Sequence, residues 1–287
     1  MAEAGGGGEA GGHGEGGEDC VPPLLMAKAY TEPSVFVVEN LMREARRQRR
    51  LRDRPVPDVC LLDPDGDVVR HLRARGALIR HEDWACYHTE LWLAEIAVDG
   101  ESEPRPVGIV ACAVGAPFAV LVAEELAAAG ASLVVSVTSA GTIAALGAPP
   151  YFVLIERAWR DEGTSLHYLP PSPWSRLSAP LAAALIGAFD GLDEPVHRGV
   201  SWSTDAPFRE TQSSIEAAQR AGVHAVEMEA AALYAYGQAC QRDVVCVAHV
   251  TNSMAADGPD FDKGEADGTD RILALVAAIT GRLRPQG

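Results

Sequence analysis

Glu227 and Glu229 are the residues whose type and spacing are best suited to chemistry. They alternate with Val226 and Met228 in Ala225-Val226-Glu227-Met228-Glu229, and an alanine-rich run from Ala230 to Gln238 follows at once. Alternation giving way to a helix-forming run predicts a strand that becomes a helix within a few residues. Glu229 then stands at the junction, close to helix amides, where a carboxylate is electrostatically favoured. Such a carboxylate can accept two hydrogen bonds from a vicinal diol, which is what holding a ribose by its 2′ and 3′ hydroxyls requires. The competing reading is an amphipathic helix start with two solvated glutamates, and this stretch alone leaves both open.

A second candidate lies near the start of the folded region. The apolar Val59 to Leu62 is followed by Asp63-Pro64-Asp65-Gly66-Asp67 and then by Val68-Val69-Arg70. A glycine in a strand-ending turn, with an arginine four residues on, can present amides and a guanidinium to one anion. Turns rich in Asp, Pro and Gly are also simply turns. There is no nucleophile elbow, no Walker loop and no spaced set of metal ligands, so neither covalent catalysis nor a metal is expected. His167, His224 and His249 read as structural side chains. What remains is a set of strand-end turns offering hydroxyls, glycine amides, a carboxylate or an aromatic ring. That set suits a small polar molecule with a sugar, with or without an anion.

The elements that must position these groups alternate. Val107 to Val114 reads as a buried strand, and a helix opening at Pro117 runs to Ala129 and ends at Gly130. Leu133 to Val137 is the next strand, with Thr138 to Thr142 as the turn after it. This is a βαβ unit, and ligands in open α/β sheets bind at such strand ends. Further strands are expected at 84–98 (or a hairpin there), Tyr151 to Ile155, Val196 to Ser201 and Val244 to Val250. Helices are expected at Ala179 to Phe189, Gln212 to Ala221 and Asp270 to Leu283. Residues 160–168 form a polar loop.

Composition bounds the rest. The chain has 287 residues, 47% of them hydrophobic, enough for one large domain or two small ones. A formal charge of −16 argues against a nucleic-acid partner, because phosphate backbones call for clustered Lys and Arg. Residues 1–20 hold nine glycines and five acids and read as a disordered tail. Residues 21–58 read as an N-terminal extension; its helical Glu39 to Arg54 carries seven arginines between Arg43 and Arg54. They are expected to form a solvated face or to contact the acidic body or a partner subunit. The main domain is placed at 59–287. Six scattered cysteines without a C-x-x-C pair fit a reducing cytoplasm, and no signal peptide is visible. The uncharged stretch Val107 to Ala123 parses as strand, turn and helix rather than as a membrane span.

Three segments carry a resemblance to the nucleoside phosphorylases of the uridine phosphorylase group, from about Val59 to the C-terminus. GAPFAVLVAEELAAAGA (115–131), followed by Ser139-Ala140-Gly141, is similar to a helix-opening segment and the turn after it. DEGTSLHYLPP (161–171) is similar to a loop specific to the uridine side. VEMEAAALY (226–234) matches the family's E-M-E segment. The resemblance implies one α/β domain around a twisted mixed β-sheet flanked by helices. It implies phosphorolysis of a pyrimidine-type nucleoside to free base and ribose 1-phosphate, with inorganic phosphate as co-substrate, no cofactor and a homo-oligomeric assembly. Glu229, with Glu227 beside it, would bind the ribose hydroxyls and Met228 would pack on the sugar. Gly66, Arg70 and Ser139 would take phosphate, and Asn252 would stand where purine-specific relatives have a catalytic aspartate. Phe208, Arg209, Gln212 and Gly141 are the base-side candidates, and Tyr87 or His88 could be lent across a subunit interface. One departure concerns phosphate: Ser136 stands where the family has an arginine. A phosphate-independent hydrolase and a catalytically silent nucleoside-binding protein are the alternatives.

Overall fold

A computed structural model describes residues 22–253, 263 and 265–283. In chain order the elements are α1 (Val38–Arg49), β1 (Val59–Asp63), α2 (Asp67–Ala74), β2 (Ile79–Arg80), β3 (Trp92–Ile96), β4 (Arg105–Ala111), α3 (Ala116–Ala128), β5 (Leu133–Thr142) and β6 (Tyr151–Asp161). They continue with α4 (Ser165–Tyr168), β7 (Trp174–Arg176), α5 (Ala179–Ala184), β8 (Val196–Thr204), α6 (Gln212–Arg220), β9 (Ala225–Glu227), α7 (Ala230–Cys240), β10 (Asp243–Ser253) and α8 (Thr269–Arg282).

One mixed sheet runs β10-β6-β8-β9-β5-β1-β4-β3-β2, with β7 on β6 and a further pairing of β10 with β5. That last pairing is parallel, from Asp243 opposite Leu133 to Val250 opposite Ala140. It closes β5, β10, β6, β8 and β9 into a ring, from which β1 to β4 extend as an open wing. β1 lies between β4 and β5, parallel to both, and all five of its residues are buried. An uninterrupted apolar run is what a strand covered on both faces needs. α7 is buried from Ala230 to Gly237, which explains a helix without a polar face. The Tyr234 hydroxyl donates to the Ile155 carbonyl at 2.5 Å and accepts from the Cys246 amide at 3.1 Å, tying α7 to β6 and β10.

The arginine-rich helix is part of the core. Met42 and Ala45 of α1 are buried, and the helix packs on α3. Arg49 donates to the Cys86 carbonyl at 2.8 Å, and Arg52 pairs with Asp83 at 2.9 Å. Arg49 and Arg52 thus contact the body of the same chain, whereas Arg43 and Arg47 bond within the helix. Among the described residues, no helix is long and apolar enough to cross a membrane.

Four expectations need correction. The polar loop expected at 160–168 is divided between the end of β6, through Asp161, and the short helix α4. The turn expected at Thr138 to Thr142 is strand, because β10 pairs with β5 through Ala140 and β9 pairs at Gly141 and Thr142. The strand or hairpin expected at 84–98 is reduced to β3. Its first part is a loop, closed by a hydrogen bond from the Trp84 indole to Thr89. The helix expected from Ala179 to Phe189 stops at Ala184, ahead of Gly187 in the left-handed region at φ 67°.

Candidate active site

β9 is three residues long, wedged between β5 and β8, and it delivers the chain into α7. This turn needs a cap, because the first amides of a helix lack internal partners. Glu227 supplies it. Its Oε2 accepts from the Glu229 and Ala230 amides at 2.6 and 2.7 Å, and its Oε1 from the Ser201 and Ser203 hydroxyls at 2.8 and 2.5 Å. Ser203 in turn accepts from the Ala231 amide at 2.8 Å. With four donors already on its carboxylate, Glu227 has no place for a sugar hydroxyl. The expectation that it binds ribose is corrected: it holds the helix start.

Glu229 is differently placed. It occupies the position before α7 but makes no side-chain cap of that helix. Its Oε1 accepts from the Gly115 amide at 2.7 Å, and its Oε2 meets the Met228 amide at 3.3 Å. The Thr138 hydroxyl, which donates to the Ser139 carbonyl at 3.3 Å, lies beside the Glu229 carboxylate. Gly115 precedes α3 at φ 87° and ψ 148°, a conformation that favours glycine, so the starts of two helices converge on this one carboxylate. Glu229 is only 1% exposed. Burial, and then the charge of Glu227 beside it, push its carboxyl up to about 8, against the pull of these donors. Burial pushes Glu227 up as well.

The turn from Asp63 to Asp67, where phosphate was expected, is tied to α2 and to β5. Gly66 takes φ 76° at the start of α2, and a Cβ there would lie 2.8 Å from Cys112 Sγ. Arg70 lies on α2, a helix not anticipated, and is clamped by Asp67 at 2.7 Å and Asp267 at 2.6 Å. His71 reaches the same Asp267 oxygen at 2.6 Å. The Ser139 amide donates to Asp65 Oδ2 at 2.9 Å. Lys263 binds Asp67 at 2.5 Å and lies 3.3 Å from Asp65. The buried Asp63 accepts from the Val69 amide, and desolvation pushes it up to about 6.

The structure thus brings Met228, Glu229, Gly115 and Thr138 together, with Gly66, Arg70 and Ser139 around the neighbouring Asp65–Asp67 turn. Gly141 pairs with Val226 directly before Glu227. The remaining base-side candidates stay outside this group. Phe208 is 99% exposed, Arg209 is exposed in the same turn, and Gln212 donates to Glu216 of its own helix. Tyr87 donates to Gln48, and His88 lines a cleft of ≈ 620 Å³ with Gly66, Arg70 and Arg73 of its own chain. The backbone of Asn252 belongs to β10, and its side chain lies outside the described residues. An apolar cavity of ≈ 530 Å³ between α1, α3 and α4 is lined by neither Glu229 nor Arg70. Sequence reasoning missed Asp65, Asp67, Thr138, Lys263 and Asp267. The run of acids around Gly66 was a signal for Asp65 and Asp67, and the strand-end position for Thr138.

Residues 95–280 match the model of the Phosphorylase superfamily. A guanosine phosphorylase of Halorubrum lacusprofundi is 28% identical over 188 residues, 62% of this chain and 77% of the relative. A uridine phosphorylase of Thermococcus kodakarensis is 27% identical over 192 residues, 62% of this chain and 67% of the relative. The crystal structure of a uridine phosphorylase from Vibrio fischeri, complexed with 6-hydroxy-1-naphthoic acid, superposes with a TM-score of 0.61 at 19% identity. The match covers 81% of this chain and 92% of that one, and shares its α/β fold. The chain belongs to the phosphorylase superfamily, among the nucleoside phosphorylases.

Proposed function

We propose that this chain cleaves the bond between ribose C1′ and the base of a pyrimidine-type nucleoside, with Glu229 holding the sugar. The observation that carries this reading is the cost of Glu229. It is a buried carboxylate beside a second buried carboxylate, and neither forms an ion pair among the described residues. Such an arrangement opposes folding, and strongly perturbed carboxyls concentrate at working sites. The helix start does not require it, because Glu227 already caps α7. A diol donating to Glu229 would take over the place of the Gly115 and Met228 amides, coupling binding to a local opening at Gly115. Thr138 and Met228 then flank the sugar.

The pyrimidine reading is supported by the 161–171 segment and by the Thermococcus relative, whereas the Halorubrum relative is named for guanosine. The test is base release from uridine, thymidine, guanosine and inosine by the unaltered chain and by Glu229→Ala. Uridine cleavage, reduced about a hundredfold or more in kcat/KM by the substitution, is expected when a charge-assisted pair of hydrogen bonds is lost. Release only from the purine nucleosides would overturn the base assignment. No release from any of them, with thermal stabilisation by a nucleoside, would make this a silent binding protein.

A further inference from the structure

We propose a second ligand site, for a phosphate group that is free or carried as an ester, between Arg157 of β6 and Arg176 of β7. None of its residues holds Glu229 or Arg70, and it does not depend on what those two bind. The arginines are direct cross-strand partners, with Trp159 opposite Trp174 further along the same two strands. Like charges directly opposite each other oppose strand pairing. Arginines elsewhere, such as Arg52, Arg75 and Arg271, pair with carboxylates. Arg157 and Arg176 form no ion pair among the described residues: Arg157 lies 4.3 Å over the Trp174 ring, and Arg176 is exposed. The carboxylate beside them, Glu156, is already taken. Arg198 holds it at 2.7 Å and also donates to the Ala182 carbonyl at 3.1 Å. Arg157, Arg176 and Arg198 against Glu156 leave two positive charges uncompensated, in a chain of formal charge −16.

The strand is shaped around this charge. β6 follows β8 up to Ile155 opposite Gly199, skips Glu156, and resumes with Arg157 opposite Val200 and Trp159 opposite Trp202. A bulge of this kind re-aims the side chains that follow it. The hollow beside it measures ≈ 480 Å³ and is lined by Glu156, Arg157, Arg176, Leu177, Ala182 and Val200. Two guanidiniums thus stand over an apolar floor, in a space of the size that takes a metabolite. Stacking on Trp174 orients the Arg157 plane in advance, which lowers the cost of ordering it around a ligand. Guanidiniums offer paired N–H donors to phosphate oxygens, and two of them match a dianion better than a single carboxylate. The field of Arg157 is felt nearby. His224, whose Nδ1 accepts from the Val200 amide at 3.1 Å, is held below its usual range by burial and then by the Arg157 charge. That is expected where no carboxylate screens the guanidinium.

The test is calorimetry with inorganic phosphate and with glycerol phosphate, on the full chain and on its Arg70→Ala and Arg176→Ala variants. A saturable site is expected that Arg70→Ala leaves in place and Arg176→Ala weakens about tenfold or more, as loss of a charge-assisted hydrogen bond does. Tighter binding of glycerol phosphate assigns the site to esters and tighter binding of inorganic phosphate assigns it to the free anion; either supports it. Phosphate binding that vanishes with Arg70→Ala, or that Arg176→Ala leaves unchanged, would overturn the inference. So would equal binding of phosphate and chloride, which marks an adventitious ion only, or no binding at all. Should a variant not fold, nitrogen NMR of the arginine Nε–H groups in the unaltered chain decides. The Arg157 and Arg176 signals should move together and saturate with phosphate, and signals that stay still would overturn the site.

Discussion

Two glutamates one residue apart divide the work between them, and substitution should separate their roles. Glu227 satisfies four donors at a buried helix start, so Glu227→Gln leaves some of them without an acceptor. A loss of about 1–3 kcal/mol in stability is expected from the unsatisfied groups, read as a lower unfolding midpoint in denaturant. Glu229→Gln should instead spare stability, or raise it, and lower nucleoside binding. The pH dependence follows from the same pair. Glu229 titrates near 8 in the fold against 4.5 for the isolated group. Its contribution to stability is therefore fully present below about 4.5 and is lost as pH rises through 8. A diol donating to the ionised form runs the other way, tightening as pH rises towards and through 8. Calorimetry in buffers of different ionisation enthalpy should show proton release on nucleoside binding at neutral pH; proton uptake would reverse the assignment. The place of Glu229 at the strand-to-helix junction was legible from the alternation. The task of Glu227 was not, because the hydroxyls that claim it come from Ser201 and Ser203, on a strand distant in sequence.

At the scale of elements, what could be read locally was local. The strand-to-helix change at Glu229, the buried run of β1 and the proline-opened α3 all follow from composition and spacing. α2 was missed although Val68, Val69 and Leu72 form its buried face, because a turn rich in Asp, Pro and Gly masked a short helix. The far end of β5 was missed for the opposite reason. Thr138 to Thr142 has turn-like residues, and only pairing with β9 and β10 makes it strand. The position of Asp65 needed Ser139, which no local pattern supplies. Gly66 links β1 to α2 and tests their geometry. Gly66→Ala forces a Cβ into the left-handed region and towards Cys112 Sγ. It should cost about 1–3 kcal/mol and disturb the start of α2, as a lower melting temperature will show. Cys112→Ala in the same background should recover the steric part alone.

For the molecule as a whole, ring closure decides where the fold is firm. β5 is flanked on one side by β1 and β9 and on the other by β10, while β2 and β7 are short border strands. Amide exchange should be slowest in β5 and β10 and fast in β2, since sub-global opening starts from exposed borders. Slowest exchange in the β2–β3 hairpin would contradict the closed arrangement. The wing and the ring were foreseen only as a twisted mixed sheet, because closure depends on a pairing between strands far apart in the chain.

That pairing also sets an order of events during synthesis. The ring cannot shut until the ribosome has passed Asp243 and β10 has emerged to meet Leu133. Before then β5 and β6 each present a long unpaired side, the kind of surface on which nascent chains associate with one another. A chain halted before α7 would carry that surface without relief. Halted before Glu229 it would also lack this buried carboxylate, so closing the ring and acquiring the proposed sugar ligand depend on the same late stretch of chain.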